Sequence, residues 1–224
     1  DLNDDVFFDK KKNVVISTDS YVEGVHFLNF RNPDLVIKKI VRSSISDLYC
    51  KGVRPKFIFI GASANNISFS KKNLDLIYES LKQEQKKYKF KLSGGDTTKS
   101  NKTTFTITSL GYSKKIVQRN KCKHNDDIYV TGNLGDSYLG LLLLKKKLFL
   151  KNYQQRKYFI QKYYMPDLPT KISSKLIKFA NSSIDISDGL FGDLTKLINT
   201  CKLYFRLDVE KIPISSQLKT YLVK

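Results

Sequence analysis

The residues of this chain best suited to chemistry are aspartates at the ends of apolar segments. Asp19 follows the apolar run 14–16, and Asp96 follows Gly94 and Gly95. In α/β proteins, ligands gather where strands end and loops begin. Carboxylates that converge there repel one another unless a cation neutralises them, and Mg²⁺ prefers oxygen ligands and keeps waters that phosphates can replace. This pattern favours a Mg²⁺ site for a phosphorylated substrate.

Two pairs of aspartates strengthen this interpretation. Asp4 and Asp5 are adjacent, and Asp185 and Asp188 flank a short turn in which Ser187 offers a hydroxyl group to the same ligand. A single aspartate is more often an ordinary turn former or helix cap, so for any one of them the structural interpretation is the better one. The pairs are harder to explain by turn chemistry alone.

The elements that position these residues can be read from the periodicity. We predict strands over 13–18, 56–64 and 103–112, and a helix that Asn32 caps and Gly52 closes. A second helix begins after Ser70. Asp47 falls inside the first helix, where spacing alone predicts only a solvated side chain. Phe90–Leu92 is predicted to end in a turn at 93–96.

The sequence of the second half of the chain predicts a similar alternation of strands and helices. Strands are expected over 128–131, 183–186 and 203–207, and helices over 137–147, 170–179 and 190–199. A polar stretch at 114–126 separates the halves, so we place domains at 1–115 and 116–224. The fold class is α/β (α+β) in both.

Two glycine-containing segments are candidate phosphate contacts. Backbone N–H groups near Gly94-Gly95 and within 132–135 can approach a phosphate closely, and a helix N-terminus after such a turn adds positive potential. Neither segment matches GxxxxGK[ST] or GxGxxG, and the chain lacks the HRD and DFG motifs of protein kinases. Alone, these segments are weak signals.

The composition limits the classes of function. The formal net charge is +19, but only six of the 40 basic residues are arginine. Proteins that recognise nucleic acid favour arginine at their contact surfaces. A solvated lysine surface is therefore a better interpretation of the charge than a nucleic-acid-binding face. No apolar run approaches the roughly 20 residues of a membrane span. Three distant cysteines predict reduced thiols in a cytosolic protein.

The ordered motifs together resemble one family. Asp4-Asp5, STDSYVEGVHF at 17–27, SDL at 46–48, GGDTT at 94–98, TGNLGD at 131–136 and DISDGL at 185–190 are similar to thiamine-monophosphate kinase. That family belongs to the aminoimidazole ribonucleotide synthetase superfamily. The resemblance covers nearly the whole chain in the right order, and the combination is much more specific than any single motif.

This resemblance implies a two-domain synthetase-like architecture, with an N-terminal mixed sheet, helices on one of its faces and an incomplete C-terminal α/β domain. It implies a homodimer formed through the N-terminal sheets and transfer of the ATP γ-phosphate to thiamine monophosphate. The implied Mg²⁺ ligands are Asp5, Ser17, Thr18, Asp19, Asp47, Asp96, Asp185 and Asp188. The implied ATP contacts are Gly95, Arg119 and Ser187, and His26 is the implied contact of the thiamine substrate.

The chemistry of this transfer suits the sequence. The acceptor is already a phosphate and needs no strong general base, so alignment and charge neutralisation by metal suffice.

The family's Arg-Pro-x-Pro-Arg segment is here Met165–Thr170, and its later Gly-Gly-Glu-Asp-Tyr segment is missing, so we interpret the chain as a fragment. The alternatives are another ATP-using enzyme of the superfamily, such as a hydrogenase-maturation protein, and a basic nucleic-acid-binding module.

Overall fold

The computed structural model describes residues 3–223 and places one mixed sheet in the first half of the chain. The strands are β1 (Phe7–Asp9), β2 (Val14–Val22), β3 (Pro55–Ala64), β4 (Lys91–Lys99) and β5 (Thr104–Tyr112), in the order β1-β2-β5-β3-β4. All neighbours are antiparallel except β3 and β4. Parallel strands need a crossover, which α2 (Lys71–Tyr88) provides.

The helices α1 (Pro33–Cys50) and α2 lie on one side of this sheet. Apolar residues of α1 recur at three- and four-residue steps, and Ile40, Ile45 and Leu48 are completely buried. Side chains alternate between the two faces of a strand, so the opposite face of the sheet carries exposed residues such as Thr18, whose hydroxyl pairs with that of Thr108 at 3.0 Å. The predicted mixed sheet with helices on one face is confirmed.

The predicted turn at 93–96 is wrong, because β4 continues through it. A register shift between Ile58 and Phe59 marks a bulge where β4 passes β3. Beyond the bulge, a Cβ atom at Gly95 would overlap the backbone of Ile60, and one at Gly94 would lie 3.1 Å from the Phe59 ring. The two glycines permit a close approach of strands and do not form a turn.

The described part of the second half consists of helices and loops. They are α3 (Asp136–Leu144), α4 (Tyr153–Tyr164), α5 (Thr170–Phe179), α6 (Leu190–Ile198), a 3₁₀ turn at Val209–Lys211, and α7 (Ser216–Leu222). The predicted strands at 128–131, 183–186 and 203–207 are wrong, since no described segment pairs with them. The sequence patterns did not predict β1, α4 or α7.

The second half packs on the first through α4 and α5. Tyr163 and Tyr164 of α4 are buried in the main core, and the Ser173 hydroxyl of α5 donates to the Tyr49 carbonyl oxygen at 2.7 Å. The division at 115/116 remains a prediction. None of the helices in residues 3–223 combines the length and apolar character that crossing a membrane requires.

Candidate functional site

Three carboxylates that are far apart in the sequence converge beside α1. Asp5 precedes β1, Asp47 lies near the end of α1, and Asp185 lies in the loop before α6. One oxygen of each carboxylate lies within 4.8 Å of the others. We call these three residues the acidic cluster. It joins the two halves of the chain, because only Asp185 comes from the second half.

Hydroxyl groups orient this cluster. The Ser17 hydroxyl of β2 donates to the Asp47 carboxylate, which shows that this side of α1 faces the strand. The Ser46 hydroxyl donates to Asp185 Oδ2 at 2.6 Å. Asp19, two residues after Ser17 and therefore on the same face of β2, accepts from the Tyr21 hydroxyl at 3.2 Å.

Burial, more than charge, raises the pKa values of these carboxylates. Burial, followed by the charges of Asp19 and Asp185, raises the pKa of Asp47 to about 8. Burial also raises the pKa of Asp19 to about 6, although the Tyr21 hydrogen bond opposes it. The pKa of Asp185 is raised for the same primary reason. Buried carboxylates that share a site favour ionisation only when a cation is present, so a hard oxygen-binding cation such as Mg²⁺ fits them.

Two cationic side chains already lie at the Asp5 end. Lys51 Nζ lies 2.6 Å from Asp5 Oδ2, and the Arg119 guanidinium is ion-paired with Asp5 Oδ1. The Arg119 Nε atom is buried, and it finds no hydrogen-bond partner within residues 3–223. Asp5 therefore differs from Asp47, which has a serine hydroxyl and no direct ion pair among the described contacts.

The loop before α6 is shaped by a carboxylate that sequence analysis did not select. Asp193 Oδ2 accepts from the backbone N–H groups of Ser187, Asp188 and Gly189, each at 3.0 Å. These N–H groups at the start of α6 are thus satisfied internally. Gly189 has φ +115°, a conformation that favours glycine. Any contact of Ser187 with a phosphate therefore relies on its exposed side chain.

Other predicted site residues lie outside the acidic cluster. Asp188 is exposed and ion-paired with Lys196. Asp96 is exposed on β4 and accepts from the Thr97 N–H at 2.8 Å. Thr18 lies on the opposite face of β2 from Ser17 and Asp19, so its side chain does not reach the cluster. Its main-chain oxygen is its remaining potential ligand.

His26 lies just beyond the C-terminal end of β2. Its Nδ1 accepts from the Val22 N–H at 3.0 Å, which fixes the proton of the neutral ring on Nε2. The ring contacts Tyr21 edge-on, with centroids 5.9 Å apart. His26 is exposed, so its Nε2 side is accessible to a ligand.

Four residues at the site were not predicted from the sequence: Ser46, Lys51, Asp193 and Lys196. For Asp193 a signal existed, because acidic residues are favoured in the first turn of a helix. Lys51 follows a helix whose last turn has no other basic residue. It looked like one of many lysines, and only the fold shows that its side chain is turned inward.

Comparison with known proteins identifies the family. The family model described as AIR synthase related protein, N-terminal domain, matches residues 3–113. The thiamine-monophosphate kinase of Buchnera aphidicola subsp. Acyrthosiphon pisum is 38% identical over 214 residues, covering 93% of this chain and 64% of the relative. The Leptospira interrogans thiamine-monophosphate kinase is 32% identical over 223 residues, covering 98% and 72%.

A solved structure supports the same assignment. The structure of AaThiL complexed with AMPPCP and TMP superposes with a TM-score of 0.91 at 29% identity, covering 99% of this chain and 72% of that chain. The chain spans 64% of the length of the Buchnera relative. The sequence similarity, the fold and the ordered motifs agree: this chain belongs to the thiamine-monophosphate kinase family.

Proposed function

We propose that the protein phosphorylates thiamine monophosphate to thiamine diphosphate, with ATP as phosphate donor and Mg²⁺ as cofactor. The observation that carries this proposal is the convergence of Asp5, Asp47 and Asp185, with carboxylate oxygens within 4.8 Å of one another. Such a cluster of hard oxygen ligands suits an ion that also binds substrate phosphates. The family assignment supplies the reaction.

The proposed ligand set follows the geometry. Asp47, Asp185, Asp19 and Ser17 form its centre, and Asp5 adjoins them. The exposed side chains of Asp96 and Asp188, which lie outside the acidic cluster, complete the proposed set of Mg²⁺ ligands. Thr18 contributes its main-chain oxygen to this set. For the substrates, we assign Gly95, Arg119 and Ser187 to ATP and His26 to thiamine monophosphate.

In the proposed mechanism, the protein aligns two phosphates and neutralises their charge. Bound Mg²⁺ supplies charge neutralisation at the transferring phosphoryl group. Asp47 and Asp185 hold the ligand geometry, because Ser17 and Ser46 fix their carboxylates. The acceptor oxygen belongs to a phosphate and is already nucleophilic, so the transfer is in line and uses no side chain as general base.

The substrates are supported by a relative. AaThiL binds AMPPCP, an ATP analogue, together with TMP. Arg119 suits the ATP side of the same site in this chain, since its guanidinium lies at the acidic cluster and retains a buried, unpaired Nε donor among the described residues. A planar guanidinium with spare donors matches phosphate geometry.

We also infer a homodimer and a cytoplasmic location. The sheet face opposite α1 and α2 exposes large apolar side chains: Phe7 is 62% exposed, Phe59 39% and Tyr112 55%. An apolar patch of this kind is typical of a protein interface. All three cysteines are free thiols, which suits a reducing compartment.

The test is the formation of thiamine diphosphate from thiamine monophosphate, ATP and MgCl₂ by the purified protein. We expect product that requires all three. Consumption of ATP with a different acceptor, and no thiamine diphosphate, would favour another enzyme of the superfamily. Association with DNA or RNA that persists at physiological salt would favour the binding module. A light-scattering mass of one chain would contradict the homodimer.

A further inference from the structure

Lys51 is a lysine in an unusual place. Its side chain has 0% exposure, whereas lysine is almost never fully buried unless it is paired. It lies immediately after α1, four residues beyond Asp47 of the acidic cluster. Burying an ammonium group is unfavourable unless several acceptors compensate for the lost water.

All three donors of the ammonium group are used. Lys51 Nζ lies 2.7 Å from Asp4 Oδ1 and 2.6 Å from Asp5 Oδ2, and it donates to the Ser183 carbonyl oxygen at 2.7 Å. An ammonium group has three donors and no acceptor. Two acceptors come from the segment before β1 and the third from the segment that leads to Asp185.

The main chain of Lys51 is fixed as well. Its N–H donates to the Leu48 carbonyl oxygen at 3.1 Å, and its carbonyl oxygen accepts from the Val117 N–H at 3.1 Å. The ammonium group is therefore held rigidly at the point where the end of α1, the Asp4-Asp5 segment and the Ser183 segment meet.

The charge balance explains why the cation belongs there. Five carboxylates lie at the site, from Asp4, Asp5, Asp19, Asp47 and Asp185. Within residues 3–223, two ionic partners contact them directly, Lys51 and Arg119, and both of these cations contact Asp5. Asp19 and Asp47, by contrast, make no direct ion pair within the part of the chain that the structure describes.

We propose that Lys51 is a resident cation that fixes both loops at the Asp4-Asp5 end and weakens Mg²⁺ binding at the acidic cluster, because its ammonium group competes with the metal ion for the Asp5 carboxylate. This proposal rests on the proposed Mg²⁺ site. It makes Lys51 a positioning residue, because its ammonium group contacts the carboxylates and is not placed on either substrate.

The test measures Mg²⁺ binding by calorimetry without nucleotide or thiamine monophosphate. Lys51→Met removes the charge, so the site becomes more acidic, and we expect at least a tenfold gain in Mg²⁺ affinity or one additional bound ion. Asp4→Asn keeps Lys51 and removes an anion, so we expect weaker Mg²⁺ binding. A merely structural Lys51 predicts that both substitutions distort the site and weaken binding.

Lys39→Met is the matched control. Lys39 is a partly buried lysine within α1, and its Nζ lies 3.4 Å from the Tyr163 carbonyl oxygen and 4.1 Å from the centre of the Tyr163 ring. We expect its substitution to lower the melting temperature equally with EDTA and with MgCl₂. Lys51→Met should lower the melting temperature more in EDTA, because Mg²⁺ replaces the missing charge.

The outcomes separate this inference from the proposed function. Unchanged or weaker Mg²⁺ binding in Lys51→Met, with thiamine diphosphate formed by the unsubstituted protein, overturns the role of Lys51 alone. Absence of Mg²⁺ binding by the unsubstituted protein overturns both. If Lys51→Met does not fold, Lys51→Gln decides, because it removes the charge and keeps a hydrogen-bond donor: tighter Mg²⁺ binding supports the resident cation, and unchanged or weaker binding overturns it.

Discussion

Residues 3–113 and residues 114–223 satisfy their backbone groups in different ways. The first region contains all the strands of the described chain, joined in one sheet beneath α1 and α2. The second contains helices and unpaired extended segments, and Tyr129 and Tyr204 are 86% and 100% exposed. A helix satisfies its own hydrogen bonds, whereas a strand depends on a neighbour. Local patterns therefore identified helices in both regions but strands only where partners exist.

The candidate site lies where these two regions meet. Asp47 belongs to the first region and Asp185 to the second, and the Ser46 hydroxyl links the regions through its bond to Asp185. The apolar core of the first region holds α1 in place, and the second region is attached by Tyr163 and Tyr164, which are buried in that core, and by polar contacts such as that of Ser173. The candidate site therefore depends on both regions, although most residues of the main apolar core belong to the first region.

The largest effect should come from Asp47→Asn at the meeting point. We expect thiamine diphosphate formation to fall by about a thousandfold or more, because metal-assisted phosphoryl transfer depends on charge neutralisation. Initial rates at saturating MgCl₂ measure it. Asp75→Asn, on the exposed side of α2, is the matched control and should retain full activity. Equal activity of the two variants would contradict the metal assignment.

The next effect concerns the core of the first region. Ile45 is completely buried, and Ile45→Ala should destabilise the protein by about 2–5 kcal/mol. Tyr204→Ala, at a fully exposed position of the second region, should change the stability by less than about 0.5 kcal/mol. Urea denaturation measures both. Similar losses in the two variants would show that the second region contributes to the core as much as the first.

The carboxylates at the meeting point should make stability depend on pH. The pKa of Asp47 is raised from 3.8 to about 8 and that of Asp19 to about 6, so the folded state binds protons more tightly than the unfolded chain. The protonated forms of these carboxylates therefore stabilise the folded state. Their contribution to the free energy of unfolding is fully present below pH 4 and is lost as the pH rises to 8. In EDTA, stability should therefore fall between pH 5 and pH 8.

MgCl₂ should reduce that fall, since a bound cation favours the ionised carboxylates. Asp47→Asn should reduce it even in EDTA, because the titrating group with the highest pKa is gone. Urea midpoints at the two pH values provide the measurement. A pH dependence that neither treatment alters would mean that other groups cause it.

The smallest effect should come from a single contact between the regions. The Ser173 hydroxyl is completely buried and donates to the Tyr49 carbonyl oxygen at 2.7 Å. Ser173→Ala should lower the stability by about 1 kcal/mol, and Ser174→Ala, at an exposed position of the same helix, should leave it unchanged. A loss much greater than that in Ile45→Ala would mean that the attachment of α5 limits the stability of the fold.

Sequence analysis succeeded where a local pattern decides the structure. The prediction for α5 matches its observed bounds, Thr170–Phe179, and the bounds of α1 followed from Pro33 and Gly52. It failed for Gly94 and Gly95, because glycine marks both turns and close strand contacts. For the site, the family resemblance selected Asp47, but the inward direction of the Lys51 side chain had no signal in a chain with 40 basic residues.

The sequence by itself determined the family, the order of the acidic motifs and most elements of the first region, because these depend on residue type and on periodicity along the chain. Only the tertiary structure decided which aspartates meet. Asp5, Asp47 and Asp185 converge because α1 packs across the sheet and the Asp185 loop returns to its end. Asp96 and Asp188 belong to the same set of acidic motifs but lie outside the cluster. The sequence could not predict this, because carboxylate interactions depend on distance and burial in the folded chain, and spacing along the sequence gives neither.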